Sequence, residues 1–261
     1  DLGHGVLLPG PINAHTHLEL SALAGAVEAK NGFTSWVRSL VTAREQLTPD
    51  ENRRAVEKAV ASLVASGVAA VGDGSNALGH LDILSAAPMT AVVFHELIGW
   101  DPAFAERLLE AAEERRRACD PHLEIRLAAH TPQSASAVLL RQMNRRGGVA
   151  SIHLAESPDE VAYLHSAEGP WARFLETRGL GHVPFSPPGS SPVAYLDALG
   201  VLREGLVAVH CVHVDRSDLE LLVNTEAPSH DVGRLTESAT VLAGIIEHRL
   251  GTPAQLVDGP D

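Results

Sequence analysis

Leu7-Leu8-Pro9-Gly10-Pro11-Ile12-Asn13-Ala14-His15-Thr16-His17-Leu18-Glu19-Leu20-Ser21 is the stretch on which the fold turns. An apolar run opens it and a His-x-His pair closes the run. Read as a strand from Gly5 to His17, its side chains alternate faces, so His15 and His17 point the same way. Two imidazoles on one face at a strand end form a chelate for a borderline-soft divalent metal such as zinc. The pair alone fits equally well as two unrelated histidines in a turn. Where the later histidines fall separates the two readings.

Working outward, Phe33 to Glu45 has helical spacing (Trp36, Val37, Leu40, Val41). Thr48-Pro49-Asp50-Glu51 starts a second helix, with Thr48 as N-cap, Pro49 in the first turn and Glu51 three residues on. Its apolar stripe runs through Ala55, Val56, Ala59, Val60, Leu63 and Val64 to Gly67. Val68 to Val71 reads as a short buried strand leading to Gly72-Asp73-Gly74-Ser75-Asn76, and Leu78 to Ser85 as a helix. Further strands are predicted at Thr90–Phe94, Leu123–Ala129, Val149–Leu154 and Leu206–Val209. Helices are predicted at Pro102–Cys119, Ser134–Arg145, Pro192–Leu202 and Asp215–Leu222, with a further helix start at Ser157-Pro158-Asp159-Glu160. Gly179 to Ser191, rich in Gly, Pro and Ser, reads as a loop. This alternation favours a parallel sheet with crossover helices. The chain has 261 residues and is 45% hydrophobic. That suits one large α/β domain, since barrels of this kind run to about 250 residues. No linker divides it.

The predicted first strand ends at His15 and His17, the third at His95, the fourth at His130, the fifth at His153 and the sixth at His210. In a parallel α/β sheet or barrel the carboxyl ends of the strands converge on one face, where ligands bind. Single core histidines are common; one at the end of nearly every strand is not a coincidence. His153-Leu154-Ala155-Glu156 adds a carboxylate three residues after a ligand candidate, where it could carry a proton for a metal-activated water. The spacing alone equally allows Glu156 to open the next helix, where an acid favours the dipole.

The formal net charge of −13 argues against nucleic acid or an anionic membrane as partner, since both recognise basic patches. The two cysteines, Cys119 and Cys211, cannot build a disulfide framework, which makes a reducing, cytoplasmic compartment the default. No apolar run reaches the roughly 18 residues of a membrane helix, and no signal peptide is visible. The chain starts at Asp1, already entering a strand, as an excised domain would.

His15-Thr16-His17, His153-Leu154-Ala155-Glu156 and Ala208-Val209-His210-Cys211-Val212-His213 resemble the first, fifth and sixth strand motifs of the amidohydrolase superfamily. The Leu-Pro-Gly-x-x-Asn-Ala-His-Thr-His lead-in is specific to it. The resemblance covers about residues 5 to 222. It is closest to the branch of cytosine, guanine, S-adenosylhomocysteine and aminodeoxyfutalosine deaminases and related chlorohydrolases. It implies a (β/α)8 TIM-type barrel with one divalent metal, zinc or iron, and a small-molecule substrate. His15, His17 and His153 would be metal ligands, Glu156 the proton shuttle, and His210 the group that polarises the attacked centre or orients the hydroxide. His130, Glu19 and His95 would line the substrate pocket. The implied reaction is attack of metal-bound hydroxide on an amino-substituted heteroaromatic ring with release of ammonia. Amide or chlorotriazine hydrolysis and an impaired metal-binding barrel are the alternatives. His80, His122, His165, His182, His213 and His248 read as surface or loop histidines.

The sequence departs from that family's pattern in three places. An Asp is expected after strand eight, and the nearest echo, Leu250-Gly251-Thr252-Pro253, has Pro in its place. Asp231 and Asp258 are the nearby substitutes. The flanking β-sandwich has no counterpart, so the barrel is expected to be incomplete, with an unpaired strand edge that invites a second copy. Before Trp36 stand Thr34 and Ser35, where relatives acting on adenosine derivatives often carry a ribose-binding acid.

Overall fold

A computed structural model of the chain describes residues 9–28 and 30–224, in which strands and helices alternate. β1 (Ile12–Thr16) passes through a 3-10 segment at Leu18–Leu23 into α1 (Phe33–Glu45) and α2 (Pro49–Ala65). β2 (Ala70–Ser75) leads to α3 (Leu81–Ser85), β3 (Thr90–Leu97) to α4 (Ala105–Ala118), and β4 (Glu124–Ala129) to α5 (Ala137–Asn144). β5 (Ala150–Leu154) is followed by α6 (Pro158–Ser166), α7 (Pro170–Thr177) and α8 (Pro192–Ala198), and β6 (Leu206–His210) by α9 (Arg216–Asn224).

Every ladder among these strands is parallel. β1, β2, β3 and β4 pair in order, with Val71 opposite Asn13, Ser75 opposite His95 and His95 opposite Leu127. β5 and β6 pair with Leu154 opposite His210. The His153 amide donates to the His130 carbonyl at 3.0 Å, stitching β5 to the exit of β4. In a flat row, the first and sixth strands would stand about 24 Å apart, at about 4.8 Å per neighbour. Yet the rings of His15, from β1, and His210, from β6, have centroids 5.7 Å apart. The row therefore curls like a barrel wall, and its carboxyl ends gather on one side. No ladder closes β6 onto β1 among the described residues.

Helix packing holds this curve. The α2 start is a full capping box: Thr48 Oγ1 accepts the Glu51 amide at 3.3 Å, and Glu51 Oε2 accepts the Thr48 amide at 3.0 Å. α2 lays Val56 and Val60 against Val71 and Val93 of the sheet. On the other side, Leu109, Leu139, Leu140, Ile152, Leu154, Leu164 and Leu196 form a second core. Each fully buried Leu or Val there stabilises the fold by roughly 1.5–3 kcal/mol relative to exposure. Tyr163, Trp171, Phe174 and Leu175 form a third, mostly aromatic cluster that receives Phe33 and Val37 of α1. No described helix is long and apolar enough to cross a membrane.

One strand differs from the sequence reading in a way that matters for the site. The Gly72-Asp73-Gly74-Ser75 segment, expected to follow a strand ending at Val71, forms the last four residues of β2. Its glycines mark close approach rather than reversal. A Cβ on Gly72 would stand 2.5 Å from the Ala14 carbonyl oxygen, and one on Gly74 would stand 2.5 Å from Glu96 Oε1 and 2.7 Å from His17 Cε1. β3 likewise runs three residues further than expected, to Leu97, and α7 was not foreseen.

Candidate metal and catalytic site

The histidines named from the sequence meet at the carboxyl ends of β1, β5 and β6. His15 and His17 lie with ring centroids 4.8 Å apart, and His153 lies 4.9 Å from His15 and 5.1 Å from His17. His210 is 5.3 Å from His153. One donor atom from each of His15, His153 and His210 falls within a 4.8 Å group, and so does one from each of His17, Glu96 and His153.

Their hydrogen bonds fix which nitrogens are available. His17 Nδ1 faces the Gly74 carbonyl at 3.0 Å, and His153 Nδ1 faces the His130 carbonyl at 2.8 Å. A carbonyl only accepts, so each Nδ1 carries the proton and each Nε2 carries a lone pair. The two Nε2 atoms then stand 3.0 Å apart with lone pairs facing each other. That arrangement is repulsive unless a cation or a proton lies between them. Imidazole nitrogens with outer Nδ1–H groups held by carbonyls form a donor set that fits a borderline-soft divalent metal. Burial drives the His153 pKa well below that of a free imidazole, reinforced by His130, His17 and His15, so the ring is held as a neutral donor.

β6 ends in an unusual backbone. His210 and Cys211 have φ of 77° and 48°. The Cys211 amide donates to Leu154 O at 2.9 Å and to Val209 O at 3.2 Å, closing a γ-turn around His210. Residues held in this region concentrate at functional sites. The turn brings His210 Nε2 to 3.2 Å from Glu156 Oε1. Glu156 follows Ala155, itself at φ 50°. That bend is clasped by Glu160, whose carboxylate accepts the amides of Ala155 at 2.9 Å and Glu156 at 2.8 Å. Ser157 caps α6 as its sequence predicts, and Pro158 opens the helix. Burial pushes the Glu160 pKa up to about 8.

The pocket candidates separate. His130 sits beside His153, with ring centroids 4.9 Å apart, and its Nδ1 is 3.0 Å from Ser134 Oγ. Burial, helped by the charge of His17, pulls its pKa down to about 4. Glu19 departs from the pocket expectation. Its carboxylate is filled from within: Ser75 Oγ at 2.7 Å, the Ala77 amide at 3.0 Å, the Asn76 amide at 3.2 Å and Arg44 Nη2 at 3.0 Å. Burial alone would raise its pKa, but Ser75, Arg44 and the two amides outweigh it and hold Glu19 below the usual carboxylate range. It ties the β1 exit to the β2 exit. His95 also departs. It shares a strand face with Val93 and Leu97, which pack into the helix layers. Its Nδ1 lies 3.2 Å from Ser75 O, and it borders a cavity with Leu108, Ala112 and Arg115 of α4.

The side chain that β3 aims into the site is the next one, Glu96, 3.8 Å from both His17 Nδ1 and His153 Nδ1. The period of two that groups His15 with His17 could have found it, had the strand been followed to Leu97. His80 is a second correction. It is buried rather than on the surface, with Nε2 2.7 Å from Asp73 Oδ2, while Asp73 Oδ1 accepts the Leu18 amide at 2.8 Å. His122, His165, His182 and His213 are exposed as expected. His248, Asp231, Pro253 and Asp258 lie outside the described residues.

A curled parallel α/β wall that collects imidazoles and carboxylates at its strand ends defines a TIM-type scaffold with its site at the carboxyl face. Comparison with known proteins gives the family. Residues 6–235 match the amidohydrolase family, and the chain belongs to it. The aminodeoxyfutalosine deaminase of Deinococcus radiodurans is 31% identical over 229 residues, which are 82% of this chain and 53% of that protein. The structure of Helicobacter pylori aminofutalosine deaminase in complex with methylthio-coformycin superposes with a TM-score of 0.68 at 23% identity, covering 83% of this chain and 53% of that one. An adenosine deaminase from Xanthomonas campestris with bound zinc gives 0.63 at 19%, covering 83% and 47%. These two likenesses speak to the fold. The chain spans about half the length of the curated relatives it matches.

Proposed function

We propose that this chain carries the metal- and substrate-binding part of a hydrolytic deaminase, acting on an amino-substituted heteroaromatic ring such as that of a purine nucleoside. The observation that carries the reading is the pairing of Glu156 with His210 at 3.2 Å beside the facing Nε2 atoms of His17 and His153. The deaminase relatives support an amino leaving group.

His15, His17 and His153 would hold one divalent metal, zinc with iron as the alternative. Bound there, the metal would supply the Lewis acidity that brings the pKa of water to about 7, and so a nucleophile at neutral pH. Glu156, 18% exposed at the side chain, would hand a proton to a ring nitrogen, take one from the oxygen that adds to the ring, and pass it to the departing amine. His210 orients that carboxylate and faces the attacked carbon. His130 gives the pocket a neutral imidazole wall. Glu19 and His95 act from behind, through the β2 exit loop and the α4 layer. A closed (β/α)8 barrel completes the wall in this reading. The free thiols Cys119 and Cys211 are in keeping with a cytoplasmic location.

Glu156→Gln is the test. The variant should keep its metal and lose ammonia release from an aminopurine nucleoside by about 100-fold or more. Normal turnover would remove Glu156 from the mechanism. A chain that binds zinc yet releases no ammonia from any aminopurine or aminopyrimidine would favour amide or chlorotriazine hydrolysis, or an inert barrel.

A further inference from the structure

Glu96 was not among the site residues expected from the sequence, and the chemistry above does not use it. Its side chain is 2% exposed. Oε2 lies 3.8 Å from His17 Nδ1, and Oε1 lies 3.8 Å from His153 Nδ1. One carboxylate thus straddles the outer nitrogens of the two rings whose inner nitrogens face each other at 3.0 Å. Oε2 is buried and has no hydrogen-bond partner among the described residues. The neighbouring acids are occupied: Asp73 by the Leu18 amide and His80, Glu19 by Ser75, Arg44 and two amides. Space for Glu96 exists because position 74 is glycine, whose Cβ would stand 2.5 Å from Oε1. A buried polar atom left unpaired costs on the order of 1–3 kcal/mol, and in a native protein it calls for a reason.

We propose that Glu96 is a positioning residue of the metal centre, acting through the Nδ1–H groups of His17 and His153. It orients both rings and strengthens both Nε2 donors; burial, with Glu19, Asp73 and Glu156 nearby, pushes its carboxyl well above the usual carboxylate range, and a bound dication would draw it into the charged form. Three neutral imidazoles bring no charge of their own, so a dication among them needs an anion close by. Metal-ligating histidines commonly pass their second N–H to a carboxylate or carbonyl; here the carbonyls of Gly74 and His130 accept those N–H groups, and the Glu96 carboxylate stands 3.8 Å from each Nδ1. The inference rests on the reading that His17 and His153 hold the metal.

The test measures zinc affinity of the full chain by competition with a chromogenic chelator, for the unmodified protein, Glu96→Gln and Glu96→Asp. Glu96→Gln should bind one zinc about 10- to 100-fold more weakly. The visible spectrum of its Co2+ form should keep its shape, because the ligands are unchanged. The 15N resonances of His17 Nδ1 and His153 Nδ1 should shift, which a merely structural role would not cause. Glu96→Asp keeps the charge, draws it back by one carbon, and should weaken zinc less than Glu96→Gln does. Zinc affinity equal to that of the unmodified chain, in Glu96→Gln or, if that variant does not fold, in Glu96→Asp, overturns the proposal alone. A changed Co2+ spectrum overturns it in favour of direct ligation. An unmodified chain that takes up no zinc overturns this proposal and the metal reading together.

Discussion

Two ring nitrogens 3.0 Å apart, each turned inward by a carbonyl behind it, are the residue-scale core of this account. His17 is the sharper probe of the two, because its outer nitrogen touches β2 and its inner one touches β5. His17→Ala should remove stoichiometric metal binding while leaving far-UV circular dichroism unchanged; elemental analysis of the purified variant checks it, and full metal content would remove His17 from the ligand set. At this scale the sequence was legible where one strand carried its own evidence. His15 and His17 share a face by a period of two, and the structure brings them together with His153 and His210. It was not legible where parity depended on a boundary. Ending β3 at Phe94 left His95 and Glu96 beyond the strand, so neither was assigned a face. Of the two, the Glu96 carboxylate is the one that points inward. His80 was missed because its partner Asp73 was placed beyond the end of the strand rather than within it.

At the scale of elements, β1 and β2 touch more closely than side chains allow. The Ala14 carbonyl lies against Gly72, and a Cβ at position 72 would come within 2.5 Å of that oxygen. Backbone cannot swing aside as a side chain end can, so Gly72→Ala should cost about 1–3 kcal/mol, in line with overpacking elsewhere. A urea denaturation midpoint well below that of the unmodified chain is expected; an unchanged midpoint would mean that β1 is not seated on β2 as described. Glycine carries two meanings in sequence, freedom to turn and room for a neighbour. Only the partner strand decides between them, which is why the end of β2 was placed at Val71. Helix starts were more legible because their signals are local. Thr48 with Glu51, and Ser157 with Pro158, cap the helices their spacing predicts.

At the largest scale, the six strands of the described residues pair as β1–β4 and β5–β6, linked by the His153–His130 hydrogen bond, and their joint curl, rather than any single motif, brings residues from positions 15 to 210 together. The β/α alternation made that legible. Closure of a barrel was not, and no ladder joins β6 to β1 among the described residues. Gathering imidazoles in a dry site also has a cost that appears with pH. His130 is neutral in the folded chain down to about pH 4, whereas an unfolded histidine takes a proton near 6.5. Between those values the unfolded state binds more protons, so the metal-free protein should lose stability as the pH falls from 6.5 toward 4. Urea midpoints at pH 7, 6 and 5 should decline, and less steeply in His130→Asn; a flat series would contradict the burial of that ring.

The central claim is that the strand-end histidines form a metal centre. Metal content per chain, measured after purification without added metal, tests it most directly. About one zinc or iron per chain is expected, removable by a chelator and restored on titration. A chain that carries none and takes up none would contradict it, and the facing nitrogens of His17 and His153 would then need a shared proton to hold them together.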